Sequence, residues 1–200
     1  MEGQNSVNPP THIETARLVL RKPVAEDTER IYETYANDAE VTRYLTWRPH
    51  RTVADGEEPS AHRLAAWESG KYFSWVITLR DGGELMGMIS VRPVEWRVDL
   101  GYVLGREWWG RGYMTEAVRA VVDYALSEPE VFRVWAVCDV DNIASARVLE
   151  KAALRREGRL RRWAMHPNLS DEPRDCLCYA KVKGDADSSI ADCGLRIEKH

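Results

Sequence analysis

From Asp99 to Ala117 the chain runs DLGYVLGREWWGRGYMTEA, and two glycines one residue apart, Gly110 and Gly112, stand just before a helical pattern. Leu100, Tyr102 and Leu104 alternate with Asp99, Gly101 and Val103, as in a strand. Met114, Ala117, Val118, Val121, Val122 and Ala125 then recur at threes and fours, the stripe of a helix packed on a sheet. A strand, a glycine turn and a helix start, with Thr115 and Glu116 in the first turn, bring unpaired backbone N–H groups to one point. The helix dipole adds positive potential there, so the chemistry that fits is anion binding, phosphate above all. The spacing is not that of a nucleotide P-loop, because no Gly-Lys-Ser/Thr follows. Nor is it a full dinucleotide fingerprint, since Thr115 stands where a third glycine would be. A tight strand-to-helix turn holding no ligand is the competing explanation for two glycines alone.

Other reactive side chains lie further along. Asn142 and Ser145 are three apart at a helix start, so they can face one point, while Asn142 by itself is a good N-cap. Trp47, Arg48, His50 and Arg51 share the loop WRPHRTVADGEEPS, and an imidazole titrates near neutral pH without tuning. Arg155, Arg156, Arg159, Arg161 and Arg162 read as a solvated strand face able to meet an acidic partner. Of the cysteines, Cys176 and Cys178 share a strand face two residues apart, too far to bond to each other, and Cys138 and Cys193 follow no pattern. No Cys/His spacing suits zinc, so no metal is expected.

Composition narrows the class. Two hundred residues at 44% hydrophobic content can bury one core, so one domain is expected over residues 14–183. A net charge of −4 and a pI near 5.8 argue against direct nucleic-acid binding. No apolar run approaches the roughly 20 residues of a membrane span, and no signal-like segment is read at the start. A cytoplasmic protein with no membrane contact is the expectation.

The elements that would hold these residues follow in order. Residues 1–13, with Pro9-Pro10, read as a mobile lead-in and 184–200 as a polar, frayed tail. Strands are expected at 17–21, 73–79, 85–91, 96–104, 132–138, 154–165 and 174–181. Helices are expected from about Glu26 to Asn37, near Val41–Leu45, over 58–70 ending at Gly70, after Gly112, and, capped by Asp141 or Asn142, to about Ala152. Asp81-Gly82-Gly83 marks a hairpin, and the helix after Gly112 should return the next strand parallel by a right-handed crossover. The order β α α β β β α β α β β describes an α+β fold: about seven strands, mostly antiparallel, with flanking helices.

Four segments in this order, TARLVLRKP, RYLTWRPH, LGYVLGREWWGRGYMTEA and DNIASARVLEKAALRREGRLR, resemble the GNAT N-acetyltransferases. The likeness is greatest to the RimJ- and RimL-like subgroup, which acetylates N-terminal amines of ribosomal proteins, and it covers roughly residues 13–182. It implies that acetyl-CoA, as co-substrate, sets its pyrophosphate on the backbone amides of Gly110, Arg111, Gly112, Tyr113, Met114 and Thr115. Its pantetheine arm would run along the backbone of Tyr102 and Leu104, where two parallel strands splay apart. Trp109 and Met114 depart from the commonest loop residues without removing backbone amides. Ala153-Leu154 stands where Gly-Phe often ends the last helix, which costs about 1 kcal/mol if Ala153 takes a left-handed cap.

The reaction implied is direct attack of a neutral amine on the thioester, which needs a base, a donor to the carbonyl oxygen and an acid for the thiolate. By resemblance Asp99 is the candidate base, directly or through water, with Glu95 weaker and His50 a competitor. A backbone N–H near Tyr102 or Val103 would polarise the carbonyl, Asn142 would touch pantetheine, and Ser145 would protonate the thiolate. Cys138 as a covalent acceptor ranks far below these. Trp47 and His50 would border the acceptor, and Trp108 and Trp109 would pack beneath the loop. The acceptor is left open among a ribosomal or other protein N-terminus and a small amine such as a polyamine, an amino acid or an aminoglycoside. A strand edge near 154–182 could pair a homodimer. The alternative function is a non-catalytic acyl-CoA-binding sensor of the same fold.

Overall fold

The computed structural model describes residues 9–185 and 196–197. Its strands are β1 (His12–Glu14), β2 (Leu18–Arg21), β3 (Phe73–Leu79), β4 (Leu85–Val94), β5 (Arg97–Leu104), β6 (Arg133–Asp139), β7 (Arg155–Ala164), β8 (Arg174–Val182) and β9 (Arg196–Ile197). They form one sheet in the order β7-β8-β6-β5-β4-β3-β2-β1-β9, antiparallel throughout except for the β5–β6 pair. The helices are α1 (Asp27–Ile31), continued by a π turn (Tyr32–Ala36), α2 (Ala39–Thr42), α3 (Glu57–Glu68), α4 (Tyr113–Ser127) and α5 (Ile143–Lys151).

The middle strands are apolar because both faces are covered. In β3 every residue but Leu79 is buried. On one face, Val118, Val121 and Val122 of α4 and Leu149 of α5 meet Val98, Leu100 and Val134. On the other, Ile31, Tyr35, Ala36 and Val41 meet Val76, Leu85 and Met88. Trp67 of α3 packs edge-on to Phe73 and Trp75, with ring centroids 5.3 and 5.4 Å away.

The sheet has two strands more than the sequence suggested. β1 lies within residues read as lead-in: Ile13 is fully buried opposite Leu20, and the Trp75 indole donates to the Pro10 carbonyl at 2.9 Å. Three residues, two of them polar, carry too little periodicity to register as a strand. At the other terminus, Arg196 and Ile197 pair with Glu14 and Ile13, inside the segment read as a frayed tail. Residues 1–8, 186–195 and 198–200, together with the expectations that fall on them, lie outside the described residues.

β5 and β6 pair only from Arg97–Asp99 to Arg133–Trp135. Beyond that, β5 stays with β4 as far as Leu104, and β6 stays with β8 as far as Asp139, so the two strands part. At the end of β6 a charged clamp fixes the turn into α5. The Asp139 carboxylate, fully buried, accepts from Arg174 Nε at 2.6 Å and from the Asp141 N–H at 2.9 Å, while Arg174 also bonds Asp141 at 2.6 Å. Burial alone would push the Asp139 carboxyl up, but the Arg174 guanidinium, with the Asp141 N–H, outweighs it and holds the group below its usual range.

α5 ends as the sequence suggested it might. Ala153 adopts φ 65°, Leu154 N–H bonds the Leu149 carbonyl and Ala153 N–H the Glu150 carbonyl, both at 3.0 Å. A Cβ in this left-handed conformation is strained. Ala153→Gly is therefore expected to raise stability by about 0.5–1 kcal/mol, roughly 1–4 °C in Tm, and Ala153→Val to lower it, as read by thermal unfolding.

Candidate active site

The loop after β5 folds as its glycines require. Gly110 has φ 76° and Gly112 φ 79°, and Gly112 is the N-cap of α4 with no side chain to offer the helix. The first bond back into the cap is Glu116 N–H to the Gly112 carbonyl at 3.1 Å, which leaves the N–H groups of Tyr113, Met114 and Thr115 ahead of it. Glu116, an anion in this first turn, would compete with any phosphate for the helix N-terminus. It is instead held from the side, accepting from Thr15 Oγ1 at 2.7 Å, Arg17 N–H at 2.9 Å and Arg17 Nε at 2.7 Å. Burial raises this carboxyl, but those bonds outweigh it and hold the pKa below its usual value. Arg17 also donates to the Arg111 carbonyl at 3.1 Å and lies 4.5 Å over the Tyr113 ring, so the turn between β1 and β2 anchors both sides of the glycine loop.

Trp109 differs from the expected packing residue. It is 45% exposed, and its indole N–H donates to the Leu104 carbonyl at 2.7 Å, tying the loop to the end of β5. Trp108 is the partner that packs on the core.

The gap between β5 and β6 presents backbone groups. Phe132 N–H reaches the Trp96 carbonyl at 2.9 Å and Gly105 N–H reaches the Met86 carbonyl at 2.8 Å. By strand alternation, even-numbered residues of β5 therefore turn their N–H and C=O toward β6, and odd-numbered ones toward β4. Past Asp99 there is no β6 partner, so Tyr102 and Leu104 face the gap. Val103 does not: its carbonyl lies 2.2 Å from where a Cβ on Gly87 of β4 would sit, and its side chain points into a cleft on the other face. The expected Val103 backbone donor is thus redirected, and the gap-facing N–H groups are those of Tyr102 and Leu104.

The opposite wall of the gap is the start of α5. Asn142 Oδ1 accepts the Ser145 N–H at 3.1 Å as N-cap, and Ser145 Oγ lies 2.7 Å from Tyr102 Oη, either being able to donate. Burial pushes the Tyr102 phenol well up, so it keeps its proton at neutral pH. Cys138, beside Ser145, is buried and pushed up to about 11, chiefly by burial, so it remains a thiol.

On the other face of β5 lies a cleft of about 570 Å3, with Met88, Ser90, Gly101 and Val103 as floor. Ile31, Tyr35 and Ala36, the loop from Leu45 to His50, residues of α3 and Tyr72 wall it. A Cβ on Gly101 would meet nothing within 4 Å, so glycine there leaves the floor open beside Tyr102. Trp47 and His50 line this cleft together, with ring centroids 5.2 Å apart. Asn168, from the β7–β8 connection, pins their loop by donating to the Thr42 and Trp47 carbonyls at 2.7 and 2.8 Å. His50 Nδ1 is buried with no hydrogen-bond partner, and burial holds the imidazole below its usual value.

Asp99 shares the cleft's face of β5 but is ion-paired to Arg92 at 2.6 Å and does not line the cleft. Glu95 is exposed in the β4–β5 turn, at the far end of β5 from the glycine loop. The arginines of β7 are a solvated face, with Arg159 paired to Asp175, Arg162 to Glu172 and Arg155 to Asp185. Three features had no signal in the sequence: the Thr15–Arg17–Glu116 tie, the Tyr102–Ser145 hydroxyl pair and an arginine, Arg63, lining the cleft.

Free amides at a glycine-capped helix start and an unpaired strand edge fit a phosphate-bearing, extended thioester. Comparison with known proteins agrees. Residues 17–155 match the acetyltransferase (GNAT) domain. An uncharacterized N-acetyltransferase of Bacillus subtilis (strain 168), YoaA, is 33% identical over 86% of this chain and 96% of its own. The ribosomal protein uS5-alanine N-acetyltransferase of Escherichia coli (strain K12) is 26% identical over 79% of this chain and 85% of its own. The fold of Mycobacterium smegmatis RimJ, solved with a CoA-disulfide, superposes with a TM-score of 0.77 over 86% of this chain and 88% of that one, at 20% identity. With the glycine loop, the parted strands and the matched segment in agreement, the chain belongs to the GNAT family of N-acetyltransferases.

Proposed function

We propose that the chain moves an acetyl group from acetyl-CoA directly to a primary amine held in the cleft, in a ternary complex. One observation carries this: β5 has the Tyr102–Ser145 pair and the open strand edge on one side, and the Gly101 opening of the cleft on the other. Acetyl-CoA supplies an activated thioester. The amides of Gly110, Arg111, Gly112, Tyr113, Met114 and Thr115 hold its pyrophosphate, and the gap-facing backbone of Tyr102 and Leu104 aligns its arm. Asn142 borders that arm. Tyr102 N–H polarises the acyl carbonyl. When Tyr102 donates to Ser145 Oγ, the Ser145 hydrogen is free to pass to the departing sulfur, and the Tyr102 hydroxyl proton replaces it on Ser145.

His50 takes the proton of the amine. It lines the cleft, and its lowered pKa keeps it neutral, hence able to accept a proton, at neutral pH. Asp99 acting through water is the second candidate, supported by its place two residues before Gly101.

Isothermal titration tests the donor: acetyl-CoA should bind at micromolar affinity or tighter while ATP gives no heat, and a silent titration with acetyl-CoA would refute the reading. Glu116→Gln should weaken that binding about tenfold, by freeing the turn from Arg17 and Thr15. Ser145→Ala should lower kcat about 10²-fold with acetyl-CoA affinity intact; unchanged affinity with no turnover in the wild type would indicate a sensor rather than an enzyme. For the base, a group that must be neutral and has a lowered pKa gives a rate that is flat above pH 6.5 and falls below it. His50→Gln should cut the rate and erase that acid limb, whereas its loss in Asp99→Asn instead would assign the role to Asp99.

A further inference from the structure

Arg63 of α3 turns into the cleft, and like Arg97, which lies over the Trp96 ring and does not line the cleft, it is a half-buried arginine with no ion pair among the described residues. Arg21 is paired to Asp27, Arg133 to Glu157 and Arg174 to Asp139 and Asp141. Arg63 makes one hydrogen bond, from Nη1 to Ser60 Oγ at 3.3 Å, and among the described residues it has no ion pair. Its neighbours do not supply the missing charge. Tyr35 and His50 are neutral, Asp55 is exposed and spends its carboxylate on the Arg51 and Thr52 N–H groups, and Asp27 is committed to Arg21. Glu58 also lines the cleft but is exposed and not bridged to Arg63. The remaining walls are largely apolar and aromatic, Ile31, Leu45, Trp47, Met88 and Val103 among them.

An arginine fork held in apolar surroundings without a carboxylate is a binding element waiting for one, since its planar donors match a carboxylate in bidentate fashion. We infer that the acceptor is a zwitterion: a primary amine that carries its own carboxylate, of the α-amino acid class, with a neutral apolar side chain. Arg63 takes the carboxylate, the apolar walls take the side chain, and the amine is left to point at the Gly101 opening. Polyamines and aminoglycosides bring only positive charge toward Arg63, and a protein N-terminus has an amide where the carboxylate would be. The volume, about 570 Å3, lies in the small-molecule range of roughly 300–1,000 Å3. This inference rests on the acetyl-transfer reading above.

The test is CoA release with L-leucine, L-methionine and L-phenylalanine, set against their primary amides, spermidine and a peptide beginning Ala-Arg, with acetyl-CoA binding measured separately by calorimetry. The acids should exceed their amides in kcat/KM by at least about 10²-fold, the penalty for leaving a polar site unmatched. Arg63→Gln should collapse that acid-to-amide ratio toward one, mainly through KM, with acetyl-CoA affinity retained, and Arg63→Lys should restore part of it. Preference for amides, spermidine or peptide would overturn the inference while leaving acetyl transfer standing, as would an unchanged ratio in Arg63→Gln. Acetyl-CoA binding with no acceptor used would overturn it too. Failure to bind acetyl-CoA would defeat the transferase reading itself, and this inference with it.

Discussion

The pairing of β5 with β6 stops at Asp99 and Trp135, and the hydrogen bonds absent beyond that point govern most of what surrounds them. A sheet interior does not tolerate unpaired backbone, because a buried N–H or C=O without a partner costs about 1–3 kcal/mol. The fold meets this in two ways. Trp109 supplies a side-chain donor for the Leu104 carbonyl, and the remaining groups of Tyr102 and Leu104 are left where solvent or an extended ligand can reach them. The parted strands are kept apart by α5, whose first turn stands across the gap and is locked by the Asp139–Arg174–Asp141 clamp and the Asn142 cap.

The glycine loop depends on the same geometry. α4 must carry the chain from the end of β5 to the start of β6 and so begins beside the gap. Its N-terminus therefore faces the unpaired edge, and the positive end of the helix and the free strand backbone form one continuous polar surface. Arg17 completes it from the turn that leads into β2. By neutralising Glu116 it removes the one carboxylate of the first turn that would repel an anion, and by bonding Arg111 it holds the turn in place. The loop is thus positioned by a residue 94 positions away from the carbonyl it binds.

Much of this was legible in the sequence where the signal was local. Phe73–Leu79 emerged with the expected bounds because its apolar run is flanked by clear breaks. The glycine turn, the α4 stripe and the Asn142 cap are short-range patterns, and the parallel return of β6 follows from the helix between. The Schellman end at Ala153 was visible as an alanine standing where glycine is easier. What escaped depends on long-range contact. β1 is a strand because Trp75 and Leu20 make it one, and Glu116 finds Thr15 across 101 residues. Asp99 is a carboxylate next to the central Gly-Tyr pair, but the fold gives it to Arg92, whereas His50, in a loop with no regular pattern, is brought to the cleft by Asn168 from the far hairpin. Arg63 carried no signal at all, since a cation without a carboxylate partner among the described residues is defined only in space.

In the proposed reaction, the four residues Gly101–Leu104 would serve both substrates. A strand sends side chains up and down and backbone groups left and right, each with a period of two. Tyr102 uses all of this: its backbone faces the gap, and its hydroxyl meets Ser145 on the helix face. Gly101 and Val103 turn the opposite way, one opening the cleft floor and the other lining it, while their backbone secures β5 to β4. In the proposed reaction the thioester and the amine would meet across the thickness of a single strand. Any residue larger than glycine at position 101 would fill that passage without straining the backbone, so what glycine provides here is room.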